Sequence, residues 1–213
     1  MISMSIELDE FLSNRVRNPK QKEFFDTHAD TWDCGAGHSD AKIRYILSKL
    51  DMHDGLDVLD VGTGTGVMVP YYLEVLEHGS VTCLDYSERM IEVARSKHPE
   101  SGILSYRVMD LYDLRESEVY DRVVCYSCFP HFPDPLEAVK VLTRSLRHGG
   151  LFCIAHSDSA RFIYGVHRDG GEEIHTDYLP EMGLMEEILS ICGLETVFVR
   201  DDDDYYMAVG RRP

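Results

Sequence analysis

The segment Val58-Leu-Asp-Val-Gly-Thr-Gly-Thr-Gly-Val67 constrains this chain more than any other. Asp57–Val61 reads as a short buried strand. Glycines at 62, 64 and 66 end it, and Val67–Glu77 resumes apolar spacing of helical period. Strand, bare bend and helix in succession form the opening unit of a parallel α/β sheet, and glycines at the bend let backbone approach a ligand closely. The pattern then repeats: strand Ser80–Leu84, helix Ser87–His98, strand Ile103–Val108, strand Asp121–Tyr126, helix Pro135–Arg147 and strand Leu151–Ala155. Pro135 suits a first helical turn, and Gly149-Gly150 closes the turn before the last of these strands. Strands separated by single helices predict a doubly wound, mostly parallel sheet. Upstream, Lys20–Asp33 and Ser39–Leu50 read as helices after a polar leader. Downstream, Tyr178–Cys192 reads as a helix capped by Gly193, and two β-rich runs flank Asp201–Asp204. So short a connection predicts an antiparallel hairpin closing the sheet, with the four aspartates in its solvated turn.

The glycine bend is not that of a dinucleotide or phosphate site. Val67 stands where a dinucleotide fingerprint wants its third glycine, and the Gly-Lys-Ser/Thr of a P-loop is absent. Asp60, two residues before the first glycine, would repel a pyrophosphate but attract an ammonium or a sulfonium. Asp85 ends the second strand, where a carboxylate accepts hydrogen bonds from a ribose diol. Asp110 ends the third, where it could accept from an exocyclic amine. Acids at three successive strand ends, together with the bare bend, predict a site for a cationic nucleoside.

These residues resemble the class I S-adenosylmethionine-dependent methyltransferases. Asp60–Gly66 looks like the family's first motif, Asp85 like its ribose-binding acid, and Asp110-Leu111 like its adenine-side motif. Residues 121–135 (DRVVCYSCFPHFPDP) resemble its fourth strand and following loop, residues 142–155 its LKPGG turn and fifth strand, and the terminal hairpin its antiparallel seventh strand. Phe24–Asp33 (FFDTHADTWD) is similar to a box of the quinone-biosynthesis-type branch, in which this helix covers the cofactor. The resemblance implies a seven-stranded Rossmann-like fold over a single domain spanning 1–213, with lid helices over 20–50 and an inserted segment over 156–177. It implies S-adenosyl-L-methionine held by Phe25, Trp32, Asp60, Gly62, Gly64, Gly66, Asp85, Tyr86, Met90, Asp110, Leu111 and Tyr126, and methyl transfer to a small-molecule acceptor.

In-line displacement needs positioning and exclusion of water, with a base only where the acceptor loses a proton. His131 and His156, expected to emerge at the ligand edge of the sheet, are the catalytic candidates. Two rival readings stay open: a divalent metal held by histidines of the region 131–177 such as His131, His156 and His167, or a chain that is a non-catalytic module binding S-adenosylmethionine. Cys125-x-x-Cys128 lies in and after a buried strand without a second such pair, which favours small hydrophobes over a thiolate site. Tyr126, Phe129, Phe132, Phe162 and Tyr164 could wall an apolar acceptor.

With 21 Lys plus Arg against 38 Asp plus Glu, the formal charge is −17, which repels nucleic acid and anionic membranes over most of the surface. No Asn-Pro-Pro-Tyr-like motif follows the fourth strand. There is no apolar run long enough to span a bilayer and no basic leader followed by an apolar core, and six cysteines read as reduced thiols. These features predict a cytoplasmic protein.

Overall fold

The computed structural model describes residues 4–34 and 38–213. Residues 35–37, within the stretch expected to form a lid, lie outside the described residues. Seven strands, β1 (Asp57–Val61), β2 (Ser80–Asp85), β3 (Leu104–Val108), β4 (Tyr120–Tyr126), β5 (Leu146–His156), β6 (Glu195–Asp201) and β7 (Tyr206–Arg211), form one sheet in the order β3-β2-β1-β4-β5-β7-β6. The first five pair in parallel. β7 enters antiparallel between β5 and β6, with Ile154 opposite Ala208. The order reverses direction at β1, and there a doubly wound sheet opens a crevice beyond its carboxyl ends.

Side chains alternate between two buried layers, as the period of a strand demands. Leu59, Val61, Val123, Cys125, Phe152 and Ile154 face one layer, with helices α6 (Pro135–Ser145) and α8 (Met182–Ile191). Val58, Val81, Val124 and Cys153 face the other, with α3 (Asp40–Leu47), α4 (Val69–Leu73) and α5 (Glu88–Lys97). Good caps fix the helix starts: Ser87 accepts from the Met90 amide, and Asp134 accepts from Glu137 ahead of Pro135.

Three stretches differ from the sequence reading. The polar leader contains helix α1 (Ile6–Ser13), capped by Ser5 and anchored by buried Leu8 and Phe11. The segment after β5 contains helix α7 (Ala160–Asp169), capped by Ser159. The expected helix over Lys20–Asp33 is α2 (Gln21–His28) continued by a tighter 3-10 turn over Ala29–Cys34. Phe25 and Ala29 pack with Met90 of α5 and with Ile174, which ties this N-terminal segment and the segment after β5 to the edge of the crevice. Asp26 fastens the same helix, accepting from Ser87 at 2.6 Å and pairing with Lys22 at 2.8 Å.

Candidate active site

A cavity of about 700 Å3 opens at the carboxyl ends of β1, β2, β3 and β4, within the size range of small-molecule sites. The three glycines of the bend have left-handed φ of +63°, +53° and +83°, and they serve two purposes. A Cβ on Gly62 would lie 2.6 Å from Cβ of Cys128 and one on Gly66 would lie 3.2 Å from Cβ of Ala94, so these two permit close packing. A Cβ on Gly64 would meet no atom of the described residues within 4 Å, and Gly64 lines the cavity. Its backbone is the surface offered to a ligand.

The acids divide. Asp85 lines the cavity, and its carboxylate accepts from the Gly64 amide and from the Ser87 amide, both at 2.9 Å. Burial pushes its pKa up to about 6 against the pull of those bonds. A cationic ligand alongside would restore its charge. Asp110 lines the cavity from the end of β3 and pairs with Arg17 at 2.8 Å. Asp60 does not line it. Sharing the parity of Val58 on β1, Asp60 points into the layer of α4, where it accepts from Tyr72 at 3.2 Å and from the Thr63 hydroxyl at 2.5 Å. Burial pushes it up to about 7, and it stiffens the bend from behind rather than facing a ligand. The cationic-ligand argument therefore rests on Asp85 and Asp110.

Of the other residues expected around a cofactor, Phe25, Trp32, Gly62, Tyr86, Met90, Leu111 and Tyr126 line the cavity, and Gly66 stands behind it. Sequence reasoning missed Thr63, Thr65, Arg17, Gln21, His38 and Tyr112 on the same wall. Thr65 was legible as part of the bend; its hydroxyl donates to Asp33 at 2.6 Å, tying the N-terminal segment to the glycines. His38 carried no signal in its own neighbourhood. It reaches the site by contact with the Tyr126 hydroxyl at 3.0 Å, which donates to Ser157 at 2.9 Å.

The two catalytic candidates also separate. After β4 the chain turns sharply at Ser127, whose φ of +55° is uncommon for a residue with a side chain. The 3-10 turn Phe129–His131 that follows puts His131 on the cavity wall. His156 does not reach it: in step with Phe152 and Ile154 along β5, it points into the opposite layer, 1% exposed. Neither of its ring nitrogens has a hydrogen-bond partner among the described residues, and burial pushes its pKa down to about 3. That position does not suit a proton-transfer role. His167 is buried as well and pushed down to about 4, with Nδ1 at 2.8 Å from the Asp177 carbonyl.

Among the described residues no group of three His, Cys, Asp or Glu side chains converges in a way that could hold a metal ion. Cys128 donates to the Val61 carbonyl at 3.1 Å, and burial holds its thiol well above the usual range. The expected aromatic wall is partial. Tyr126 and Phe132 line the cavity, Phe129 is in the core, and Phe162 and Tyr164 lie exposed on α7.

Residues 59–154 match the family model described as a methyltransferase domain. Over 138 residues the chain is 31% identical to the ubiquinone biosynthesis O-methyltransferase of Vibrio vulnificus, covering 61% of this chain and 58% of that protein. Over 133 residues it is 29% identical to the malonyl-[acyl-carrier protein] O-methyltransferase of Acetivibrio thermocellus, covering 62% and 47%. The chain thus spans about half the length of the curated relatives it matches. The magnesium protoporphyrin IX methyltransferase of Synechocystis, solved with bound SAH, superposes with a TM-score of 0.68 at 17% identity, covering 90% of this chain and 98% of that one. The strand order with its reversed seventh strand, and the glycine bend beneath the cavity, define a class I methyltransferase fold. The match to a methyltransferase domain covers residues 59–154, the stretch from β1 through β5 that carries the glycine bend.

Proposed function

We propose that the chain transfers a methyl group from S-adenosylmethionine to a small-molecule acceptor by in-line displacement. The observation that carries this reading is one cavity lined both by the bare backbone of Gly64 beside the Asp85 carboxylate and by the His131 ring. The residues suit the donor. Asp85 accepts from the ribose hydroxyls, Asp110 and Leu111 meet the adenine, and Gly62–Gly64 leave room for the amino-acid end. Phe25 and Trp32, whose rings lie 5.4 Å apart in an edge-on pair, act with Met90 as an apolar lid that excludes water. The bound donor supplies an activated methyl group. His131 takes the proton from an acceptor hydroxyl or amine, and Tyr126 with His38 orients it.

The O-methyltransferase relatives support an acceptor whose attacking atom is oxygen, in line with the quinone-biosynthesis-type branch, and Tyr126 and Phe132 on the cavity wall suit a planar or apolar one. Metal assistance lacks a donor set among the described residues, and the volume beyond the glycine bend speaks against a module that only senses the donor. The net charge of −17 supports an acceptor other than nucleic acid and little attraction to anionic membranes. Among the described residues no helix is long and apolar enough to cross a membrane. Six free cysteines, four of them buried, support a reducing, cytoplasmic setting.

Calorimetry with S-adenosylhomocysteine and with NAD tests the reading. Saturable binding of the former and none of the latter is expected; binding of NAD alone overturns it.

A further inference from the structure

One cluster links the donor side of the cavity to His131. His131 is 13% exposed in its side chain, and its Nδ1 lies 2.7 Å from Oδ2 of Asp177, itself 11% exposed. The same oxygen accepts from Nε2 of Gln21 at 2.8 Å, and Oε1 of Gln21 accepts from the Tyr86 hydroxyl at 3.2 Å. An aspartic side chain is ordinarily ionised near neutral pH, and a carboxylate can only accept. Nδ1 of His131 must then carry the hydrogen. Nε2 of His131 makes no hydrogen bond among the described residues, yet it is not one of the buried orphan nitrogens, in contrast to both nitrogens of His156. It is therefore open, in a residue that lines the cavity. Phe25 meets the His131 ring edge-on at 5.0 Å and the His167 ring lies 4.8 Å away, which fixes its plane.

We propose that Asp177, supplied by the segment after β5, is the positioning residue that holds His131 as the Nδ1–H tautomer and leaves Nε2 as the proton acceptor at the cavity. The inference deepens the methyl-transfer reading and rests on it for the use made of that nitrogen. Gln21 gives the arrangement its second consequence. It belongs to α2 and bonds at once to Asp177 and to Tyr86 beside Asp85, so the seating of α2 over the donor half of the cavity also sets the acceptor half. When an acceptor O–H or N–H proton leaves, Nε2 takes it, and the Asp177 carboxylate faces the resulting imidazolium. Arg15 lies near this carboxylate and donates to the Phe132 carbonyl at 3.0 Å and the Tyr178 carbonyl at 3.2 Å, bracing the loops on both sides. His167 faces the same ring from α7 and His156 lies buried at the end of β5, both kept neutral by burial, so Arg15 is the cation that offsets the Asp177 carboxylate near His131.

The test reads the tautomer, not turnover. In uniformly nitrogen-15-labelled full chain at about pH 8, above the ordinary imidazole range, long-range nitrogen–proton spectra should give His131 a pyrrole-type Nδ1 and a pyridine-type Nε2. The Asp177→Ala variant, with unchanged far-ultraviolet circular dichroism, should lose that fixed pattern, with Nε2 moving toward pyrrole type, and Asp177→Glu should restore it. A wild-type His131 in the Nε2–H form overturns the inference whatever the variants do, and so does an unchanged pattern in Asp177→Ala. Failure of S-adenosylhomocysteine to bind would strike the methyl-transfer reading instead and leave the tautomer result standing.

Discussion

Replacing Gly64 by alanine separates a glycine needed for the fold from one needed for a ligand. At φ +53° a side chain costs about 1–2 kcal/mol, the left-handed penalty for an L-residue. Among the described residues no atom of another part of the chain lies within 4 Å of the new methyl, so they add no steric cost to it. Gly55 is the matched control: φ is +86°, a Cβ there also meets nothing within 4 Å among the described residues, and it lies outside the cavity. Both variants should lose about 2–8 °C in Tm, from roughly 2–4 °C per kcal/mol for a chain of this size. Only Gly64→Ala fills space into which the nucleoside must approach, and it should weaken S-adenosylhomocysteine by about tenfold or more, or at least 1.4 kcal/mol. Thermal denaturation and calorimetry on the two variants give both quantities. If Gly64→Ala binds as tightly as Gly55→Ala, the bare bend is not the surface that receives the ligand and the reasoning fails. Gly62→Ala makes the opposite prediction: with Cys128 only 2.6 Å from the new atom, stability suffers before binding can be measured.

Other outcomes follow from the buried titratable groups. Replacing His156 by leucine removes two unpartnered nitrogens and should stabilise the protein by about 1–3 kcal/mol; a lowered Tm would mean the ring has a partner. Because burial depresses the pKa of His156 to about 3, its contribution to stability is lost as pH falls from the ordinary imidazole range toward that value, so the advantage of His156→Leu should grow on acidification. Asp85 and Asp60 have the reverse sign. Raised to about 6 and about 7, they favour the folded state at low pH, and that contribution fades as pH climbs from the ordinary carboxyl range to those values. Binding of cationic S-adenosylmethionine near pH 6 should therefore release protons, detected as an enthalpy that differs between buffers of unlike ionisation heat; equal enthalpies would contradict the electrostatic account. His131→Ala and Asp177→Ala should each lower kcat by about 10²–10⁴-fold on any acceptor the wild type turns over, and the double variant should fall no further than the worse single one.

The sheet and its donor half were legible in the sequence because both are local. A strand, a glycine bend and a helix occupy adjacent residues, and an acid at a strand end stays at that end in any parallel sheet. What the sequence did not settle was direction across the sheet. Asp60 and Asp85 look alike as strand-tip acids, but Asp60 is still within β1 and obeys its alternation, pointing with Val58 toward α4, whereas Asp85 is the last residue of β2 and turns to Gly64. The same alternation along β5 sends His156 into the core on the other side of the sheet, with Ile154. Helices α1 and α7 were missed because polar residues break their apolar stripes. Ser5 and Ser159 at their N-caps, followed by Leu8 and Phe11 or by Phe162 and Val166, were nonetheless readable signals. His38, Gln21 and Asp177 reach the site only through contacts distant in sequence, such as the 156 positions between Gln21 and Asp177, and no local pattern announces them.

A crystal structure of the chain with S-adenosylhomocysteine bound tests the central claim most directly. It should show both ribose hydroxyls on the Asp85 carboxylate, the adenine against Leu111, and the sulfur facing the space between Tyr126 and His131. A nucleoside seated elsewhere, or a ribose that leaves Asp85 without a ligand contact, would contradict it.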